Sequence, residues 1–159
     1  MKLLSKLLFL AYILTLAWLV LLKFSLDLPS VLSLHLRSLN LIPFAHSNRG
    51  EIIANCLVFI PFGLLLRINF KRFTLWQNLA IIVAFSLSAE IIQYVLAIGV
   101  TDITDLLTNT AGGLLGLIVY GSENKNPGNE TRDQSITIIG IVLLTLLMAL
   151  RFFVFKVRY

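Results

Sequence analysis

The sequence predicts an all-α fold, a polytopic transmembrane helical bundle of about five spans, built as a single domain over residues 1–159. Three observations lead there. The chain is 58% hydrophobic and only 13% charged, whereas soluble domains carry about 25% charged residues; a soluble fold this apolar would lack the polar side chains to cover its surface. The hydrophobic residues gather into long runs separated by short polar stretches. The basic residues sit at the ends of those runs, where they orient helices in an anionic membrane. The net charge of +5 is thereby explained without nucleic acid, and no RNA- or DNA-binding signature accompanies it. Cys56 stands alone, so no intramolecular disulfide is expected.

Each element follows from its residues. Residues 1–6 are a short basic start, and residues 7–22 are apolar apart from Thr15. With Leu3 and Leu4 the run reaches the ~20 residues a span requires. Thr15-Leu16-Ala17 crudely resembles a signal-peptide cleavage site, but the apolar run continues past it, so a retained first helix is the favoured reading. Residues 23–50 hold Lys23, Asp27, Pro29, His35, Arg37, Pro43, His46 and Arg49, too many polar groups for a span. Leu32, Leu34 and Leu36 alternate with Ser33, His35 and Arg37 as in a strand. Leu28, Val31, Leu32, Leu36 and Leu39 fit a helical face equally, and periodicity leaves both open. A segment lying in the membrane interface is expected, its two histidines serving as interfacial side chains rather than metal ligands.

Residues 52–66 form the second span, interrupted by Pro61 and Gly63; membrane helices tolerate such breaks when neighbours satisfy the freed backbone groups. Arg67, Lys71 and Arg72 make a basic turn. Residues 79–98 form the third span and carry Ser86, Ser88, Glu90 and Gln93. Residues 99–101 are expected to be a tight turn that makes the third and fourth spans antiparallel neighbours, the fourth running from about 104 to 120. Residues 121–135 read as a polar loop, and an additional C-terminal span is placed at about 136–157. Lys2, Lys6, Arg67, Lys71, Arg72, Lys125 and Arg132 fall on the side of the N-terminus, against Lys23, Arg37 and Arg49 on the other side before the fifth run. This predicts a cytoplasmic N-terminus in the bacterial cytoplasmic membrane, with the basic C-terminal tail outside.

Polar chemistry converges on residues 100–116. On a helix Asp102, Asp105 and Asn109 share one face, and Thr108, Gly112 and Gly116 form an adjoining stripe of small residues that lets another helix approach closely. Gly113 belongs to the same packing surface, and the stripe is expected to meet the third span. Ser86, Glu90 and Gln93 share a face of that third span, with Glu90 about 12 Å from its outer end at 1.5 Å per residue. A carboxylate facing lipid there would cost several kcal/mol, so Glu90 is expected to face Asn55, Asn109 or the Asp102/Asp105 end of the fourth span. Glu51 and Asn55 open the second span on the same side, and Asn40 and Asn48 lie in the preceding loop. Asp102 also suits a helix N-cap with Asp105 in the first turn, and Asn55 and Asn109 suit interhelical hydrogen bonds.

The candidate catalytic residues are Glu90, Asp102 and Asp105, which as clustered acids can serve as general acid and base. The candidate ligand-binding residues are Asn40, Asn55, Gln93 and Asn109. No metal-ligand spacing is present and no cofactor is expected. The chain has no Gly-x-Ser-x-Gly elbow, His-Glu-x-x-His, phosphate loop or Cys-x-x-Cys.

At these residues the chain resembles the VanZ-like family of small bacterial membrane proteins. The matching blocks are Asn40-Leu41-Ile42-Pro43-Phe44; Asn55-Cys56-Leu57-Val58-Phe59-Ile60-Pro61-Phe62-Gly63; Glu90-Ile91-Ile92-Gln93; and the run from Thr101 through Asp102, Asp105 and Asn109 to Gly116. They keep the family's order over about residues 40–120. The family's last block often reads like Arg-x-Phe-Asp-Ile-Asp-Asp-Leu; here Gly99 and Val100 replace the basic and aromatic residues, and Thr104 stands where an acid is common. The family is named for a protein conferring resistance to teicoplanin, a glycopeptide with a lipid tail. The resemblance therefore implies a role in the response to lipoglycopeptide antibiotics or in handling cell-envelope lipids, with membrane lipids, a cell-wall precursor lipid or the lipoglycopeptide itself as partners. A membrane enzyme acting on a lipid-linked envelope substrate through the three acids is the alternative, and a purely structural or partner-binding bundle is the third.

Overall fold

The computed structural model describes residues 2–22, 36–45, 48–122 and 130–155. Its elements in chain order are α1 (Lys2–Leu22), β1 (Leu36–Asn40), α2 (Arg49–Asn69), α3 (Leu75–Leu96), β2 (Ile98–Asp102), α4 (Ile103–Ser122) and α5 (Glu130–Phe155). Among the described residues, four helices are long and apolar enough to cross a membrane: Leu3–Leu21, Arg49–Asn69, Leu75–Leu96 and Ile103–Gly121. α5 covers the fifth apolar run but starts at Glu130, and α4 extends to Ser122, so residues 121–122 and 130–135 are helical and not part of the polar loop expected over 121–135. Exposed apolar side chains ring the bundle, among them Leu7, Leu14, Leu57, Val95, Ile118 and Ile139. So large an apolar surface suits lipid, not water.

Local chemistry sets the helix ends. Asn48 caps α2 in a capping box with Glu51, and Thr74 caps α3 in another with Gln77. α3 stops at Ala97, whose left-handed conformation (φ 53°) turns the chain out of the helix. Pro61 lies inside α2 and deprives that turn of one backbone N–H. Close by, the Tyr12 hydroxyl of α1 donates to the Val58 carbonyl at 2.6 Å, a neighbour's side chain supplying a donor beside the break. The core is aromatic: Phe59 and Phe62 of α2 pack with Phe85 of α3, the Phe62 and Phe85 ring centroids 5.1 Å apart, and Leu16, Leu66, Ile82 and Leu117 close around them.

Three further expectations change. The open question over residues 32–39 resolves at its C-terminal end as strand β1; residues 23–35 and 46–47, and with them both histidines, lie outside the described residues. Residues 99–101 are not a tight turn: the third span ends at Leu96, short of the expected residue 98, and residues 98–102 form strand β2, which pairs in parallel with β1 in the register Leu36↔Ile98 to Asn40↔Asp102. A parallel pair needs a long crossover. The α2–α3 helical hairpin provides it, one helix descending and the other returning. The third correction concerns the small-residue stripe. A side-chain carbon at Gly112 would strike the Cys56 carbonyl, and one at Gly116 the Ile60 carbonyl. The stripe therefore packs backbone-to-backbone on α2, where Gly63 in turn abuts the Gly113 carbonyl. The third span meets α4 through Gly113, whose added carbon would fall 2.7 Å from the Ile82 side chain. Chain adjacency favoured α3 as the close partner, but α3 presents the Ile82 side chain to α4, whereas α2 presents the backbone at Cys56, Ile60 and Gly63.

Candidate functional site

The end of the bundle that holds β1, β2 and the first turns of α2 and α4 collects the polar residues. The strand register sets Asn40 beside Asp102, and the Asn40 Nδ2 donates to Asp102 Oδ2 at 3.0 Å. Asp102 precedes α4, and its Oδ1 accepts from the Thr104 amide at 2.8 Å, an N-cap bond. The Asp102 amide in turn donates to Glu90 Oε2 at 3.0 Å. Glu90 is 3% exposed, so this carboxylate is taken out of lipid and turned toward the start of α4. One residue earlier, the Thr101 hydroxyl donates to the Glu90 carbonyl at 3.2 Å. Asn40, Glu90 and Asp102 thus form one hydrogen-bonded unit drawn from β1, α3 and the β2–α4 junction.

The other candidates stand around it. Asn55 Nδ2 of α2 donates to Asp105 Oδ1 at 2.7 Å, joining α2 to the first turn of α4. Asn109 lies one turn deeper and donates to Ser86 Oγ at 2.9 Å; it is buried, and its Oδ1 meets no hydrogen-bond donor among the described residues. Gln93 leaves the cluster: its Nε2 donates to the Val20 carbonyl at 2.9 Å and ties α3 to α1. Glu51 serves the α2 capping box. Among the described residues no three His, Cys, Asp or Glu side chains form a group that could hold a metal ion.

Two contributors escaped the sequence reading. Thr104 is 1% exposed, and its hydroxyl accepts from the Phe44 amide at 3.0 Å, anchoring the loop after β1 to α4. Phe44 takes a positive φ of 62°, costly for a bulky residue and held by that contact. The signal was the threonine at a position where the family pattern carries an acid. The other is Ser86, read as one face with Glu90 but not as the partner of Asn109.

Beside the unit runs an apolar groove of about 450 Å³. Leu39 and Leu41 of the β1 region, Leu87 and Ile91 of α3 and Leu106 of α4 form its walls, and Glu90 and Asp102 lie at its polar edge. The arrangement offers a slot for an alkyl chain with acceptor-rich oxygen chemistry at one side.

Comparison with known proteins gives a family and a relative. A family model described as VanZ/LLP1 matches residues 9–122. A protein of Enterococcus faecium described as "Protein VanZ" is 49% identical over 151 residues, covering 94% of this chain and 94% of that protein. No solved structure matches.

Proposed function

The chain belongs to the VanZ/LLP1 family, and from that premise we propose that it binds an amphiphile at the outer end of the bundle and thereby alters the response to lipoglycopeptide antibiotics such as teicoplanin. In this reading it is a multi-pass protein of the bacterial cytoplasmic membrane with its N-terminus inside, and its ligand is the lipoglycopeptide or a cell-wall precursor lipid. The observation that carries the proposal is the groove: leucine and isoleucine walls ending on Glu90 and Asp102. Apolar walls suit an acyl chain, and a polar edge at the bundle end suits a headgroup at the membrane surface. The parallel strand pair supports that depth, because an open sheet edge is not tolerated against hydrocarbon.

Both carboxylates border the groove, which is also what a membrane enzyme acting on a lipid-linked substrate would need. Three of their oxygens accept bonds from Asn40, the Thr104 amide and the Asp102 amide, a pattern that favours positioning over proton transfer. The test fills the groove. Leu87→Trp and Ile91→Trp replace exposed or half-exposed wall residues, so the fold tolerates them. Cells expressing these variants at wild-type levels should lose protection against an acylated glycopeptide while their response to a non-acylated one stays unchanged. Full protection with the groove filled overturns the binding reading. Turnover of an undecaprenyl-type lipid that Glu90→Gln abolishes would replace it with the enzymatic one.

A further inference from the structure

A second cavity, of about 670 Å³, lies at the opposite end of the bundle, between the start of α1, the α2–α3 turn and the first turns of α5. We propose that it binds the phosphate headgroup of an anionic phospholipid through Lys6 and Arg72.

Most of the other polar groups at this end of the bundle are already engaged. Asn69 donates to the Leu65 carbonyl at 2.9 Å and to the Ser5 carbonyl at 3.4 Å, and accepts the Ser5 hydroxyl at 3.2 Å, so it clamps α2 to α1. Lys71 pairs with Asp133, whose other oxygen accepts the Tyr120 hydroxyl at 2.8 Å. That pair cancels its own charge. The guanidinium of Arg67 donates to the Phe73 carbonyl and holds the turn in shape. Lys6 and Arg72 remain, both exposed and with no hydrogen-bond or ion-pair partner among the described residues. Glu130, the remaining acid of the lining, is exposed in the first turn of α5, where the helix dipole favours it.

Two cations over one cavity suit a phosphodiester, and the remaining wall suits the rest of a lipid. Phe70 and Phe73 stack with centroids 5.3 Å apart and are 37% and 38% exposed, an apolar shelf beside the cations. Trp76, 75% exposed and just beyond the turn, has the position of an interfacial aromatic anchor. Cations dispersed only to orient the chain would not need to converge on a recess. Basic pockets between membrane helices are the recognised setting for anionic headgroups.

The test measures affinity in detergent for short-chain phosphatidylglycerol, phosphatidylcholine and inorganic phosphate, using the full chain. Wild type should bind the anionic lipid at least tenfold more tightly than the zwitterionic one. The double variant Lys6→Gln/Arg72→Gln should lose that preference, and Lys6→Arg/Arg72→Lys should keep it. Arg49→Gln, at the other end, should leave it unchanged, which excludes a general effect of net charge. Both altered residues are exposed, and thermal unfolding without lipid verifies that the variants fold. Equal binding of the two lipids, or a preference that survives the double variant, overturns the proposal. So does inorganic phosphate that displaces the anionic lipid at equal affinity, since the cavity would then be a site for free phosphate.

Discussion

Glu90 illustrates how one buried carboxylate can join three elements. Its Oε2 receives the Asp102 amide, and Asp102 receives Asn40, so a change at Glu90 reaches the sheet as well as α4. A glutamine side chain keeps an oxygen that can accept the same amide. Glu90→Gln should therefore fold with stability near wild type, whereas Glu90→Ala leaves a buried amide without its acceptor and should cost about 1–3 kcal/mol. Thermal or denaturant unfolding in detergent reads both. The same pair separates scaffold from function: if Glu90 only positions Asp102, Glu90→Gln keeps antibiotic protection, and if its charge or proton is used, protection disappears from a normally folded protein. A destabilised Glu90→Gln would contradict the role of Glu90 as acceptor of the Asp102 amide.

Between elements, α2 and α4 cross backbone to backbone. Gly112 and Gly116 press on the backbone of Cys56 and Ile60, atoms that cannot move aside without bending α2, while Gly113 faces the buried side chain of Ile82. Gly112→Ala and Gly116→Ala should each destabilise by about 1–3 kcal/mol through overpacking. Gly113→Ala should destabilise in the same range, because the Ile82 side chain it meets is fully buried and, being β-branched in a helix, has one strongly preferred χ1. Gly99 of β2 has open space where a side chain would go, so Gly99→Ala should stay within about 0.5 kcal/mol. Equal effects at Gly99 and Gly112 in a detergent unfolding assay would contradict the crossing.

Across the whole molecule, the two polar ends have different characters. One gathers Glu90, Asp102 and Asp105 with their amide partners; the other carries Lys6, Arg67, Lys71 and Arg72. The basic end should face the cytoplasm. In a Cys56→Ser background, Arg72→Cys should react with a membrane-impermeant thiol reagent only when the inner face is opened, and Arg49→Cys should react in intact cells. The reverse pattern would invert the topology and move the acidic end, and the groove beside it, to the cytoplasmic side.

The helices and the membrane character were legible in the sequence because hydropathy is a local property: a run such as residues 79–96 must bury its backbone polar groups in a helix wherever it lies in lipid. The cap at Asp102 and the inward turn of Glu90 were legible for the same reason, one from local backbone chemistry and the other from the cost of a charge in hydrocarbon. The strand pair was not. β1 and β2 are five residues each, too short for periodicity to distinguish, and each is stabilised by a partner some sixty positions away. Nor could the chain order reveal that the glycine stripe packs on α2, because a small-residue surface accepts any helix whose backbone is equally bare. Those non-local pairings decide the site. They set Asn40 on Asp102 and leave the leucine-lined groove between β1, α3 and α4, while the α1–α3 packing takes Gln93 to Val20.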